Sequence, residues 1–301
     1  MSHATDNIQA ANETSSRPGA MSRSLRAFAA FTKVAALRLP AKTPEDWAVV
    51  GAQLISAVDA CNDDVAPTLL KRHGPPLARE VFREKSALAL CAGAGLLESV
   101  KALLPFSDPL ATHRETFWDE PGPSTALFDA IKGRNVEAVR LIAPLSNLLH
   151  ERMPGQGVFW RASALMHGFS AVDHIVGGPM FIALMDESLR QPPEIQAKLF
   201  MAALEEINDG LDDRSGMSGG VERHGLVDAF VQRVPGAALG QMLASFPKPL
   251  RPELRAPLSA KHEAWALAQV VAEARASAAD TAADGSQPAM RSAARQGSVR
   301  L

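Results

Sequence analysis

Two glycine-rich stretches carry residue types and spacings that enzymes use. In LALCAGAGLLESVKALL (residues 88–104), Gly93 and Gly95 match the beginning of G-x-G-x-x-G, whose glycines let a backbone approach a dinucleotide pyrophosphate. The third glycine position holds Glu98, and a carboxylate there opposes phosphate binding at a helix N-terminus. Because the motif is partial, the pattern favours a tight turn between two packed helices.

The second stretch, GMSGG at residues 216–220, matches the G-x-S-x-G of hydrolases, with Ser218 as the nucleophile and His224 as the nearest base. That chemistry needs a strand before the serine and a helix after it. The preceding residues, NDGLDDRS, are typical of a polar loop instead. A flexible linker is therefore favoured over a catalytic serine.

Histidine and cysteine spacing predicts no metal or cofactor. The eight histidines form no H-E-x-x-H pattern, and His167 and His174 have neither a cysteine nor a pair of acids beside them. Cys61 and Cys91 form no C-x-x-C pair, and no two carboxylates form an acid–base dyad. We predict no catalytic residues, no cofactor and no metal, and hence a protein that is not an enzyme.

Composition narrows the class of protein. Hydrophobic residues make up 47% of the 301 residues, enough for a folded core, while aromatics make up 5% and tyrosine is absent. Small and straight-chain apolar residues suit close helix packing, so we predict an all-α fold without strands. A net charge of −2 argues against a nucleic-acid partner. Unpaired cysteines favour a reducing, cytoplasmic compartment, and no apolar run reaches the length of a membrane span.

Three segments share the spacing of their apolar and small residues. They begin at Leu54, Leu88 and Leu127, so the steps are 88 − 54 = 34 and 127 − 88 = 39 residues. Four further sets of residues coincide in this frame: Ala57, Cys91 and Ala130; Asp64, Glu98 and Glu137; Ala66, Val100 and Val139; Leu69, Leu103 and Ile142. Self-similarity at such a period is typical of repeat architectures.

The segments resemble the ankyrin repeat, which has a period of about 33 residues, a turn plus two helices and a T-P-L-H-x-A start. The matching starts are AQLISA at Ala52, SALALCA at Ser86 and TALFDA at Thr125, in which Ser or Thr would cap the first helix. The Pro and His of the motif are replaced, so the copies are degenerate. The resemblance covers roughly residues 45–150, and a fourth copy is expected from Ser163.

The same frame locates the turn between the two helices of each copy. Gly95 lies at this turn, where a positive φ is often needed. Cys61 and Arg134 take the equivalent places in the other two copies, each followed by an asparagine that tolerates left-handed geometry.

The resemblance implies an ankyrin-like α-solenoid that binds a protein partner through its finger loops and the first helix of each repeat. Insertions at residues 105–123 and 153–161 lengthen two steps, and both carry a Phe-Trp pair. Phe117 and Trp118 of the long finger either contact a partner or fold back over the stack. The predicted partner-binding residues are His113, Arg114, Phe117, Trp118, Asp119, Glu120, Asp129 and Lys132.

Composition divides the chain into four parts. Residues 1–44 form a predicted disordered leader, residues 45–185 the repeats, residues 186–276 a helical C-terminal region and residues 277–301 a flexible tail. In the third part the period disappears, although helices are expected to begin at Pro179, at the Pro192–Pro193 pair and at Ser259.

The resulting hypothesis is a non-catalytic protein–protein interaction module. The composition is typical of bacteria, and bacterial ankyrin-like proteins include effectors delivered into host cells, so secretion into a host is an alternative to the cytoplasm. Two other classes stay open. One is an enzyme with a site in residues 160–280 and the repeats as a docking arm. The other is a membrane-surface adaptor that uses the basic amphipathic residues 25–40, which otherwise form a short helix packed on the domain.

Overall fold

The structure is a computed structural model that describes residues 40–117, 120–150, 157–166, 171–211, 221 and 225–284, without the side chains of residues 115–117, 120–121, 171–175 and 280–284. This part of the chain is mostly helical, which confirms the predicted all-α character, but it also contains two short β-hairpins that the sequence did not predict. None of its helices combines the length and the apolar character that crossing a bilayer requires.

Seven helices and both hairpins lie in the first half of the chain. The helices are α1 (Pro44–Asp59), α2 (Val65–His73), α3 (Pro76–Arg79), α4 (Ala87–Gly93), α5 (Leu97–Leu103), α6 (Ala126–Lys132) and α7 (Val136–Ile142). The antiparallel hairpins are β1 (Val81–Phe82) with β2 (Lys85–Ser86), and β3 (His113–Phe117) with β4 (Glu120–Ser124). Each hairpin immediately precedes a helix pair.

Six helices lie in the second half. They are α8 (Val158–Met166), α9 (Ala171–Ser188), α10 (Pro193–Gly210), α11 (Leu226–Arg233), α12 (Gly236–Ser245) and α13 (Pro252–Asp284). Helix α10 runs between the residues that the sequence predicts, from the proline pair to Gly210.

The helices of the first half pack as consecutive antiparallel pairs. The first members contact one another in the order α1, α4, α6, α8, and the second members in the order α2, α5, α7, α9. Each pair therefore buries its apolar side against the next pair, and one core runs through the whole described part of the chain.

The turns inside the first three pairs share one geometry. The residues with positive φ are Cys61 at 52°, Gly95 at 72° and Arg134 at 57°, the three positions that the repeat frame places at the turn. The following N–H donates in each turn to the carbonyl five residues earlier, at 2.9, 2.9 and 3.4 Å, which is the Schellman arrangement. The turn prediction is confirmed at all three positions.

The residues that coincide in the repeat frame also share their environment. The twelve apolar or small ones are buried, and the acids Asp64, Glu98 and Glu137 are exposed. Beyond this frame, LLPFSDPLA (103–111) and IAPLSNLLH (142–150) repeat at the same 39-residue step, and each contains a 3₁₀ turn followed by a serine that bonds back to the helix. The period is therefore longer in sequence than the leucine frame alone indicates.

Polar contacts join successive turns. The carboxylate of Asp63 in the first turn accepts hydrogen bonds from the N–H groups of Glu98 and Ser99 at 2.8 and 2.7 Å, so it caps α5 of the next pair. The Asn135 side chain caps α7 at Ala138 N and donates to Gly95 O at 2.9 Å. These bonds fix the spacing between neighbouring pairs.

Helix starts agree with the predicted caps in part. Ser86 Oγ accepts a hydrogen bond from Ala89 N at 3.1 Å, as predicted, whereas Thr125 makes no side-chain cap bond. The first copy does not begin at Ala52, which lies inside α1, because a capping box of Thr43 and Asp46 with Pro44 begins that helix earlier.

The predicted fourth copy is in the wrong register. Ser163 lies near the end of α8 rather than at a helix start, and the predicted insertion at residues 153–161 is already helical from Val158. Phe159 of the second Phe-Trp pair is buried, with its ring centroid 5.0 Å from that of Phe181, so it belongs to the core. A fourth helix pair exists, but its spacing differs from that of the first three.

Prolines do not mark the helix starts in the second half. Pro179 lies inside α9 and Pro257 inside α13. At Gly177 a Cβ would lie 2.7 Å from Met166 N, so α8 and α9 approach closely, and this packing outweighs the lost backbone bond. Helix α13 begins at Pro252 instead of Ser259, because Leu254 and Leu258 are buried. It also extends past residue 277, so the predicted tail is wrong for residues 277–284.

Candidate functional site

Hairpin β3–β4 carries most of the predicted partner-binding residues. Its register pairs His113 with Ser124 and Phe117 with Glu120. Arg114 is exposed, as expected for a binding residue, but His113 is 9% exposed and faces the stack. Trp118 and Asp119 lie outside the described residues, and Phe117 and Glu120 are described by their backbone alone.

The two predicted residues on α6 differ in exposure. Lys132 is exposed, but Asp129 is 1% exposed, so the prediction of an exposed Asp129 is wrong. Its side chain points towards the hairpins and meets two basic residues there. The hairpin prediction was missing, so the sequence gave no reason to bury this carboxylate.

Asp129 lies at the centre of a cluster with Lys85 and His113. Lys85 Nζ on β2 donates to Asp129 Oδ1 at 2.6 Å, and His113 Nε2 on β3 lies 2.9 Å from Asp129 Oδ2. At Gly93 on α4 a Cβ would lie 3.4 Å from Asp129 Cβ, so the glycine leaves room for the carboxylate. The cluster therefore joins both hairpins to the first helix of a pair.

This cluster also contains the residue types of a catalytic triad. His113 lies between Asp129 and its cross-strand neighbour Ser124, and the types Asp, His and Ser perform nucleophilic catalysis when a substrate can reach the serine. Ser124 is fully buried, and its Oγ has no hydrogen-bond partner among the described residues. Because the serine has no access to solvent, the arrangement holds the hairpin in place and performs no hydrolysis.

A groove lies on the outer side of the same hairpin. It has a volume of about 360 Å³ and is lined by Thr112, His113, Arg114, Gly122 and Pro123. Since His113 is held from behind by Asp129, this wall of the groove is fixed relative to the stack. The exposed Arg114 guanidinium is available there for a carboxylate or a backbone carbonyl of a partner.

Comparisons with protein-family models, with curated proteins and with solved structures found no match. The functional argument consequently depends on the residues and the geometry of this chain.

The glycines of the partial dinucleotide motif have a structural role. Gly95 forms the turn with positive φ, and at Gly133 of the next pair a Cβ would lie 2.5 and 2.8 Å from the carbonyl oxygens of Ala92 and Gly93. The motif region is thus covered by the neighbouring helix pair, and the interpretation as a packed turn is confirmed. The other catalytic candidates, Ser218 and His224, lie outside the described residues.

The second half contains one cleft with a perturbed acid in the part that the structure describes best. Burial raises the pKa of Glu206 on α10 to about 7, although a hydrogen bond with Ser163 acts in the opposite direction. The cleft beside it has a volume of about 80 Å³, about half that of a cavity that holds benzene. Its walls are otherwise apolar apart from Glu205. It is therefore too small for a substrate of more than a few atoms.

The remaining candidate residues are structural. Burial raises the pKa of the Cys91 thiol to about 12, so this cysteine is unreactive. His73, the last residue of α2, accepts a hydrogen bond from Ala41 N at 3.0 Å, and burial lowers its pKa. The described residues contain no group of three or more metal-ligating side chains.

Proposed function

We propose that the chain is a non-catalytic protein-interaction module built on degenerate ankyrin-like repeats, with a helical C-terminal extension. The shared turns at Cys61, Gly95 and Arg134 and the stacked helix pairs support the repeat assignment. A hairpin before α4 and another before α6 correspond to the finger loops of such repeats.

The observation that carries the function is the anchored hairpin. The Lys85–Asp129–His113 cluster fixes β3 on the stack while Arg114 remains exposed on its outer side. A loop that is held rigidly loses little conformational entropy on binding, so its polar groups contribute more to affinity. Lys132 lies exposed at the end of the helix that carries Asp129 and extends the same surface.

Affinity capture with the full chain tests this assignment. We expect Arg114→Glu, Lys132→Glu and Trp118→Ala each to reduce capture of a specific protein partner about 10-fold, since central interface residues contribute roughly 1–2 kcal/mol each. Lys101→Glu is the matched control, because Lys101 is exposed on the second helix of its pair and bonds only with the neighbouring Glu98 in the described contacts. Circular dichroism verifies that each variant is folded. Equal capture by all four variants and the wild type would contradict the assignment.

A further inference from the structure

Helix α1 exposes one continuous side at the beginning of the stack. Glu45, Ala48, Val49, Ala52 and Asp59 are all exposed and recur at helical spacing, with Val49 41% exposed. The centre of this side is apolar and both ends are acidic. The opposite side of α1 packs on α2 and α4.

The position of α1 explains why such a surface needs a cover. The first helices of the later pairs have a neighbouring pair on each side, but α1 has one on one side only among the described elements. The end of a repeat stack is normally closed by a unit with a polar outer face. The exposed valine and alanines of α1 do not provide that polar face.

We propose that residues 25–38, LRAFAAFTKVAALR, pack against this side of α1 and close the stack. These residues lie outside the described part, directly before it. Their apolar residues fall on one side of a helix, as the sequence analysis found. The proposal does not depend on whether the chain binds a protein partner.

Charge complementarity identifies this segment as the occupant. Residues 25–38 contain Arg26, Lys33 and Arg38 and no acid. Helix α1 contains three acids, Glu45, Asp46 and Asp59, and no base. Opposite charges at both ends of the contact favour an antiparallel pairing, with Arg38 near the beginning of α1 and Arg26 near its end.

The length of the chain also fits. Fourteen helical residues span about 21 Å, and the 16 residues of α1 span about 24 Å. Residues 39–43 between them form a connection of a length that is typical for antiparallel helices. The hydrogen bond from Ala41 N to His73 Nδ1 fixes this connection beside the start of α1, so the segment has a high effective concentration at the proposed surface.

Hydrogen–deuterium exchange of the full chain tests the proposal. We expect the amides of residues 25–38 to exchange at least 10-fold more slowly than in the free peptide of the same sequence. Val49→Glu places a charge at the centre of the surface and should return them to the peptide rate. Ala52→Glu is a second variant with the same expected result, and Val81→Glu, at an exposed valine on β1, is the matched control that should leave the protection unchanged.

Three results would overturn the proposal. The first is exchange of residues 25–38 at the peptide rate in the wild type. The second is protection that persists in both α1 variants while α4 to α7 remain protected, which shows a folded protein with another occupant. The third is protection that arises only after addition of vesicles of 30% phosphatidylserine in phosphatidylcholine, which would assign the segment to a membrane surface.

Discussion

The two halves of the chain pack helices in different ways. After α1, the paired helices of the first half have seven or nine residues and are joined by turns of one geometry. The second half uses helices of 18, 18 and 33 residues, two of which contain an internal proline. A fixed helix length keeps a sequence period, because each pair must present its apolar side at the same height. Once the length varies, the period disappears although the helices remain.

The halves also differ in how they bury an acid. In the first half Asp129 is buried against the ammonium group of Lys85. In the second half Glu206 is mostly buried, and the nearby Lys248 is bound to Glu205 and Asp209 at 3.0 and 2.7 Å. One carboxylate is thus compensated by a partner, while the other responds by a raised pKa.

Removing the cation of the compensated acid should have the largest effect. We expect Lys85→Met to lower the free energy of unfolding by about 3 kcal/mol, because breaking a buried ion pair leaves an uncompensated charge. Asp129→Asn in the same background should recover part of this loss. Urea unfolding of the two single variants and the double variant gives the coupling energy.

Lys101→Met is the control for that cycle. Its partner Glu98 and Lys101 itself are both about half exposed, so its loss should cost less than about 0.5 kcal/mol. A coupling energy between Lys85 and Asp129 no larger than this control value would show that the cluster does not anchor the hairpins.

The sequence predicted the turns but not this cluster, for a physical reason. A turn is local, so Gly95 and the small residues around it carry its signal. Asp129 is buried by Lys85 and His113, which lie 44 and 16 residues away. Strands β1 and β2 have two residues each, and β4 contains Pro121 and Pro123, so no alternating pattern indicates a hairpin. Contacts that depend on such short strands have no periodic signal.

The second half shows the same limit for helices. Proline is a good start signal on average, and it predicts the start of α10. It fails at Pro179, where the contact between Gly177 and Met166 stabilises a continuous helix. That contact joins residues of two helices, so no local pattern carries it. The available signal that was missed is the 39-residue repeat of the 3₁₀ turns, which extends the period beyond the leucine frame.

A smaller effect is expected at the uncompensated acid. Glu206 has a higher pKa in the folded chain, about 7, than its ordinary value of 4.5, so the folded state binds the extra proton between these values. Its contribution to stability is complete below pH 4.5 and is lost as the pH rises to about 7. We therefore expect Glu206→Gln to match the wild type at pH 4 and to be more stable by about 2 kcal/mol at pH 8.

Thermal and urea unfolding between pH 4 and pH 8 measure this difference. Glu194→Gln, at an exposed carboxyl on the same helix, is the matched control and should follow the wild type. A difference between Glu206→Gln and the wild type that does not change with pH would contradict a proton held by the folded state.

The smallest effect concerns the turns that define the first half. Gly95 and Cys61 occupy equivalent turns, and both have a positive φ, which costs a side chain more than it costs glycine. We expect Gly95→Ala to lose about 1 kcal/mol and Cys61→Gly to gain about 0.5 kcal/mol by urea unfolding. Cys61→Ala removes the thiol but keeps a Cβ at positive φ, so it should leave the stability of the wild type unchanged. If Cys61→Gly is no more stable than Cys61→Ala, the two turns are not energetically equivalent, and the common turn geometry of the first half does not reflect a common sequence requirement.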